Sequence, residues 1–109
     1  MSVPDSNQAS FEVQGDARSR VVGALNLTTV GDLLSVGGSA ITRGDATLVD
    51  LAGVGHSDSS GLALLIEWLS VAHAAGKTLR YENMPNQLQQ LARLSEVEGL
   101  LLPALNISP

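Results

Sequence analysis

Eight consecutive residues, Gly55-His56-Ser57-Asp58-Ser59-Ser60-Gly61-Leu62, hold the types best suited to chemistry in this chain. They set hydroxyls, a carboxylate and an imidazole between an apolar run ending at Leu51 and another beginning at Leu62. A buried strand passing through small polar residues into a helix N-terminus is the expected local form. A nucleophile elbow needs G-x-S-x-G, and Ser59 stands where its second glycine belongs. His56 and His73 are the only imidazoles, and nothing in the sequence places either as a base against a serine hydroxyl. A phosphate loop needs a lysine directly after its last glycine, where this chain has Leu62. Helix capping fits: Asp58, Ser59 and Ser60 can each accept from an unpaired helical N–H, at about 1 kcal/mol. A contact or regulatory site fits as well. A serine opening an exposed helix is within reach of a kinase, and a phosphate there is favoured by the helix dipole and repelled by Asp58.

The helix that this turn opens has more apolar surface than one buried face requires. At 100° per residue Leu62, Leu65, Ile66 and Leu69 form one stripe, with His73 on its line. Leu64, Trp68, Val71 and Ala75 form a second, almost opposite stripe, while Glu67 and Ser70 fall between the two. Either Trp68 folds over a neighbouring helix and completes a second small core, or the stripe is a surface for another protein. Trp is the residue type most enriched in interface hot spots. Together with Ser59 and Ser60, the residues Leu64, Trp68 and Val71 make the expected contact set, with Asp58 and Gly61 shaping the turn. His73 has no second ligand at metal-binding spacing on its line, so no metal site is expected.

Composition narrows the function classes. The 109 residues suit one domain, and 44% hydrophobic content supports a core without disulfides or metal. With no cysteine, thiolate metal sites, redox dithiols and a Cys nucleophile are excluded. A formal net charge of −5 with six scattered Lys and Arg speaks against nucleic acid and against docking on anionic lipid. Met1 to Ser10 is polar and does not read as a signal peptide. The run Leu62 to Ile66 is far short of the roughly 20 apolar residues that span a bilayer. A cytoplasmic protein is expected, so the glycosylation-like matches at Asn26 and Asn106 carry no weight.

The elements that must hold the turn follow from periodicity and punctuation. Residues 1–9 read as a flexible tail, 10–103 as the domain and 104–109 as a second tail. Phe11 to Val13 and Arg20 to Leu25 predict strands about a turn at Gly15-Asp16. Thr28 or Thr29 caps a helix with Val30, Leu33 and Leu34 inside, weakened or ended by Gly37-Gly38. Thr47 to Leu51 predicts a central strand buried on both faces, and Gly53 to Gly61 a turn. The next helix runs to about Ala75 with Gly76 as its stop. Lys77 to Tyr81 predicts a strand, Pro85 opens another helix, and Leu100 to Leu102 a last short strand. The alternation predicts an α/β fold, with a mixed sheet of about four to five strands and three to four helices.

The segment Asp58-Ser59-Ser60-Gly61-Leu62, after Leu48-Val49-Asp50-Leu51, resembles the signature of STAS domains, the family that includes bacterial anti-sigma factor antagonists. Gly61-Leu62-Ala63-Leu64-Leu65 and Leu91-Ala92-Arg93-Leu94 resemble the MlaB group within it. That group commonly carries Asp-Thr-Gly-Gly-Leu at this turn, so Ser59 stands for the Thr and Ser60 departs from the Gly. The resemblance implies a non-catalytic subunit without a cofactor of its own. Its partner would be the ABC ATPase subunit (MlaF-like) of a phospholipid-transport complex with a membrane permease, reached from the cytoplasmic side. The resemblance to antagonists implies the alternative, a switch in which Ser59 is the phosphorylated serine.

Overall fold

In the computed structural model, which describes residues 8–101 and 104, the chain alternates as expected. Strand β1 (Ala9–Gly15) pairs antiparallel with β2 (Arg18–Leu25). Helix α1 (Val30–Arg43) crosses to β3 (Leu48–Ser57), parallel to β2. Helix α2 (Ser59–Ala74) crosses to β4 (Arg80–Glu82), parallel to β3. Helices α3 (Asn86–Leu94) and α4 (Glu98–Leu101) follow. The sheet is four-stranded, in the order β1-β2-β3-β4. The first turn takes Asp16 and Ala17 to φ of 53° and 60°, the twist that closes a two-residue hairpin.

Four expectations are corrected. First, α1 does not end at Gly37-Gly38. It continues to Arg43 and stops at Gly44, φ 83°, where Gly44 and Asp45 donate to the carbonyls of Ile41 and Ala40. The same closure ends α2, Gly76 donating to His73 and Lys77 to Ala72, so that expected stop is where it was placed. Second, Gly53 to Ser57 is strand, not turn. A Cβ on Gly53 would lie 2.9 Å from the Val21 carbonyl oxygen, so the glycine keeps β3 against β2. One extra residue of β3 is accommodated between Asp50 and Gly53 and another between Val54 and His56.

Third, β3 buries one face only. Val49, Leu51 and Val54 are buried with Val21, Leu25 and Tyr81 beneath the helices. The opposite face carries a rung across all four strands, in register: Glu12, Arg20, Asp50 and Glu82. Arg20 bonds Glu12 at 2.6 Å, and Arg18 from the neighbouring rung reaches Glu82 at 3.4 Å. The Arg20 and Ser10 bonds lower the Glu12 carboxyl pKa; the Ala52 amide and Asn83 do the same for Asp50. Fourth, Glu98–Leu101 is helical where a strand was expected from Leu100, with Leu101 buried; Leu102 lies outside the described residues. Three apolar residues in a row do not distinguish the two periods.

Positive charge is sorted along the fold. Arg18 and Arg20 stand near the start of β2 and Arg80 at the start of β4. Arg43 and Arg93 occupy the last turns of α1 and α3, and Lys77 follows α2. These are all six cations of the chain, and they lie towards the end where the parallel strands begin. Glu82, Glu12, Asp45 and Glu98 pair with Arg18, Arg20, Arg43 and Arg93 there, whereas Asp32 and Asp58 stand at the other end, with Glu67 midway along α2.

Tyr81 ties the sheet to α2: its buried hydroxyl donates to the Leu65 carbonyl at 2.6 Å. Burial pushes the phenol well above its ordinary pKa of 10.0. The folded state therefore holds this proton more tightly than the unfolded chain. The contribution is fully present below about pH 10 and is lost as the pH rises beyond it. Urea titrations should show stability falling from about pH 10 upward in the wild type. In Tyr81→Phe, about 1 kcal/mol weaker at neutral pH for the lost bond, the fall should be shallower. Equal slopes would mean that Tyr81 does not drive the alkaline loss.

Candidate functional site

The Asp58 turn is built from three directions. Ser57 ends β3 buried, its Oγ donating to the Asp58 carbonyl at 3.1 Å and its N–H to Oε1 of Gln87, from α3, at 3.1 Å. Asp58 donates its own N–H to the Leu25 carbonyl at the end of β2, at 3.1 Å. Its extended backbone (φ −104°, ψ −167°) then lets the carboxylate accept from Ser60 N–H at 2.8 Å, capping α2. The Asp58 carbonyl accepts from Gly61 N–H at 3.0 Å. Gly61 is obligatory by space: a Cβ there would overlap Ser57 Oγ and come 2.8 Å from Leu25 Cβ. What this holds outward is Ser59, exposed at the first position of α2, with Ser60 half-buried beside it.

The elbow chemistry finds no support. Ser57 turns its hydroxyl inward onto main chain, and His73 lies in the last turn of α2, at the far end from the serines. Among the described residues no cluster of His, Asp and Glu is arranged to hold a metal ion.

The second stripe of α2 is where the expected contact set divides. Trp68 is 0% exposed and Leu64 is 4% exposed, so neither is presented as open surface, a correction to that expectation. The reason is Gly37. The indole lies over it, with Cε2 at 2.6 Å from where a Cβ would stand. Nε1 donates to the Leu34 carbonyl at 3.4 Å, and the ring meets Phe11 of β1 edge-on, centroids 5.4 Å apart. Trp68 thus joins α1, α2 and β1 in one core. Val71 is half-buried further along, in a shallow depression with Ser35, Gly38 and Thr42.

The apolar surface lies instead on the other wall. Between the first halves of α1 and α2 runs an open groove of about 360 Å³, with Leu27, Val30 and Leu34 on one side and Ser60, Ala63 and Leu64 on the other. Leu27 is 85% exposed at its mouth. Sequence reasoning missed this groove because it forms only where α1 and α2 lie side by side; the apolar positions Leu27 and Leu34 were the signal available.

Comparison with known proteins agrees with this architecture. An anti-sigma factor antagonist from Mycobacterium paratuberculosis superposes with a TM-score of 0.73 at 15% identity, covering 97% of this chain and 92% of that one. The antagonist SpoIIAA in its unphosphorylated form gives 0.66 at 16% identity, over 94% and 89%. The Bacillus cell fate determinant SpoIIAA in its phosphorylated form gives 0.65 at 16%, over 94% and 92%. At such identities the likeness is one of fold. No curated protein matches the sequence. Residues 11–103 match the family model described as "Mlab, STAS domain". With that match spanning the sheet, the capped turn and α3, the chain belongs to the STAS domain family.

Proposed function

We propose that this domain is a non-catalytic subunit that binds the ATPase of an inner-membrane phospholipid-transport ABC complex of the Mla kind, and stabilises or tunes it. The observation that carries the reading is the match of residues 11–103 to the MlaB-labelled branch of the family. The turn supports it. A rigidly capped helix end with an exposed Ser59 beside an apolar groove suits recognition by another protein. None of the described helices is long and apolar enough to cross a membrane, so the domain would meet the membrane through its partner, from the cytoplasmic side. ATP would belong to the partner. Lipid asymmetry of an outer membrane is the process served.

Affinity capture from native membranes tests this. The wild-type chain should recover an ABC ATPase together with its permease. Ser59→Arg, placed at an exposed position and so folded by circular dichroism, should recover at least about tenfold less. A soluble serine kinase recovered instead, with phosphate found on Ser59, would replace this reading with the antagonist switch.

A further inference from the structure

The sheet has a face that the helices leave open. Parallel strands are ordinarily covered on both sides. Here the helices pack over Val21, Val49, Leu51 and Tyr81, and among the described residues no helix covers the reverse side.

Two neighbouring rungs of that open face differ in sign. Arg18, Leu48 and Arg80 stand in register across β2, β3 and β4. Two residues further along these strands comes the rung of Glu12, Arg20, Asp50 and Glu82. Two residues of extended chain set the rungs about 7 Å apart. The first carries two cations and no acid. The second carries three acids, and its one cation, Arg20, is held by Glu12 at 2.6 Å. Arg18 reaches Glu82 at 3.4 Å, but among the described residues Arg80 has no ion-pair partner. Asp50 is bonded by the Ala52 amide and by Asn83, not by a cation.

The balance of charge selects the occupant. With three acids and three arginines this face is neutral, so the formal net charge of −5 lies wholly elsewhere on the chain. A strongly acidic or strongly basic partner would oppose half of its charges. Two copies of the chain meet here without net repulsion. A two-fold axis running across the strands, between the rungs, sets the cationic rung of each copy over the acidic rung of the other.

We propose that this face pairs two copies of the domain in a weak two-fold dimer, Arg80 of each meeting Glu82 and Asp50 of the other. The contact is weak because four strands about 4.8 Å apart and two rungs deep cover far less than the roughly 800 Å² a side of a stable complex. A Kd on the order of 0.1 mM is expected. The pairing stands apart from whatever the Ser59 end binds.

Sedimentation equilibrium of the full chain, from roughly 10 μM to 1 mM, tests this. The mean mass should rise from one copy towards two. Arg80→Glu and Glu82→Lys, each checked for folding by circular dichroism, should each weaken association about tenfold, since a two-fold contact counts every change twice. Mixed in equal amounts, the two variants should associate as the wild type does, because the acid introduced at one position then meets the lysine introduced at the other. A variant that had merely lost its structure would not be restored by mixing. A monomer at 1 mM, association unmoved by the variants, or a mixture as weak as either variant alone would each overturn the proposal. So would a chain that stays monomeric while Arg80→Glu abolishes capture of the ATPase, which would give the face to that partner instead.

Discussion

Trp68→Ala is expected to lower the stability of the domain by about 3–5 kcal/mol, the usual cost of emptying a fully buried aromatic site. That is a large share of the roughly 5–15 kcal/mol that holds a domain of this size together. The side chain is 0% exposed and has few ways to be replaced. It fills the space over Gly37, and its ring edge contact with Phe11 contributes about 0.5–1.5 kcal/mol beyond burial. Its N–H bond to the Leu34 carbonyl also disappears. Urea denaturation followed by circular dichroism checks this: the midpoint should fall with little change in slope. Trp68→Phe, which keeps a ring in the site, should lose less than half as much. A loss under about 1 kcal/mol for the alanine variant would show that the indole is not the anchor described here. Any loss of partner capture by Trp68→Ala would follow from unfolding, which is why Ser59→Arg and not this variant tests binding.

Gly37→Ala sets two known effects against each other. In a helix interior, alanine is favoured over glycine by about 1 kcal/mol. Here the new methyl would overlap the indole, and forcing a group into a filled core costs about 1–3 kcal/mol. The ring has nowhere to go, so the collision prevails and the variant should be less stable than wild type by about 1–2 kcal/mol. Two controls isolate the cause. Gly38→Ala, one residue on, meets nothing nearer than Val71 Cγ1 at 4.0 Å and should be stabilising by about 0.5–1 kcal/mol. Introduced into Trp68→Ala, the Gly37→Ala change should turn stabilising, because the methyl then enters emptied space. A coupling of about 1–3 kcal/mol between positions 37 and 68 is the expected cycle. Additive behaviour would disprove the steric account.

These two residues also mark where the sequence could be read and where it could not. The alternation of elements was legible from period and punctuation: Gly76, Pro85 and the Gly15-Asp16 turn each act locally, through φ or a missing N–H. Gly37 acts through a partner thirty-one residues away, so its local signature, a helix breaker, pointed the wrong way. With α1 read as weakened or ended there, the second stripe of α2 had no assured cover, and the expected contact set took Trp68 for surface over the alternative of a second small core. Gly53 and Gly55 misled in the same sense. They were read as turn residues, whereas Gly53 serves the close approach of β2 to β3. Asp58 and Gly61 were legible because a cap and a close helix–strand contact are both short-range. The groove was not legible, since it exists only when two helices are set side by side.

The uneven placing of charge along the fold has a kinetic side. Four of the six cations are paired to acids at their own end. Asp32 and Asp58 stand at the other, without Lys or Arg on the elements that carry them before Arg43 and Lys77, so the surplus negative charge is weighted towards the Ser59 end. Near a basic surface such a body turns before it touches, so the Ser59 end arrives first more often than chance would bring it. Salt shortens the reach of that field, to about 10 Å at 0.1 M, and slows arrival without altering the apolar contacts that decide how long a complex lasts. Speed of encounter and length of stay are thereby assigned to different residues, and either can change without disturbing the other.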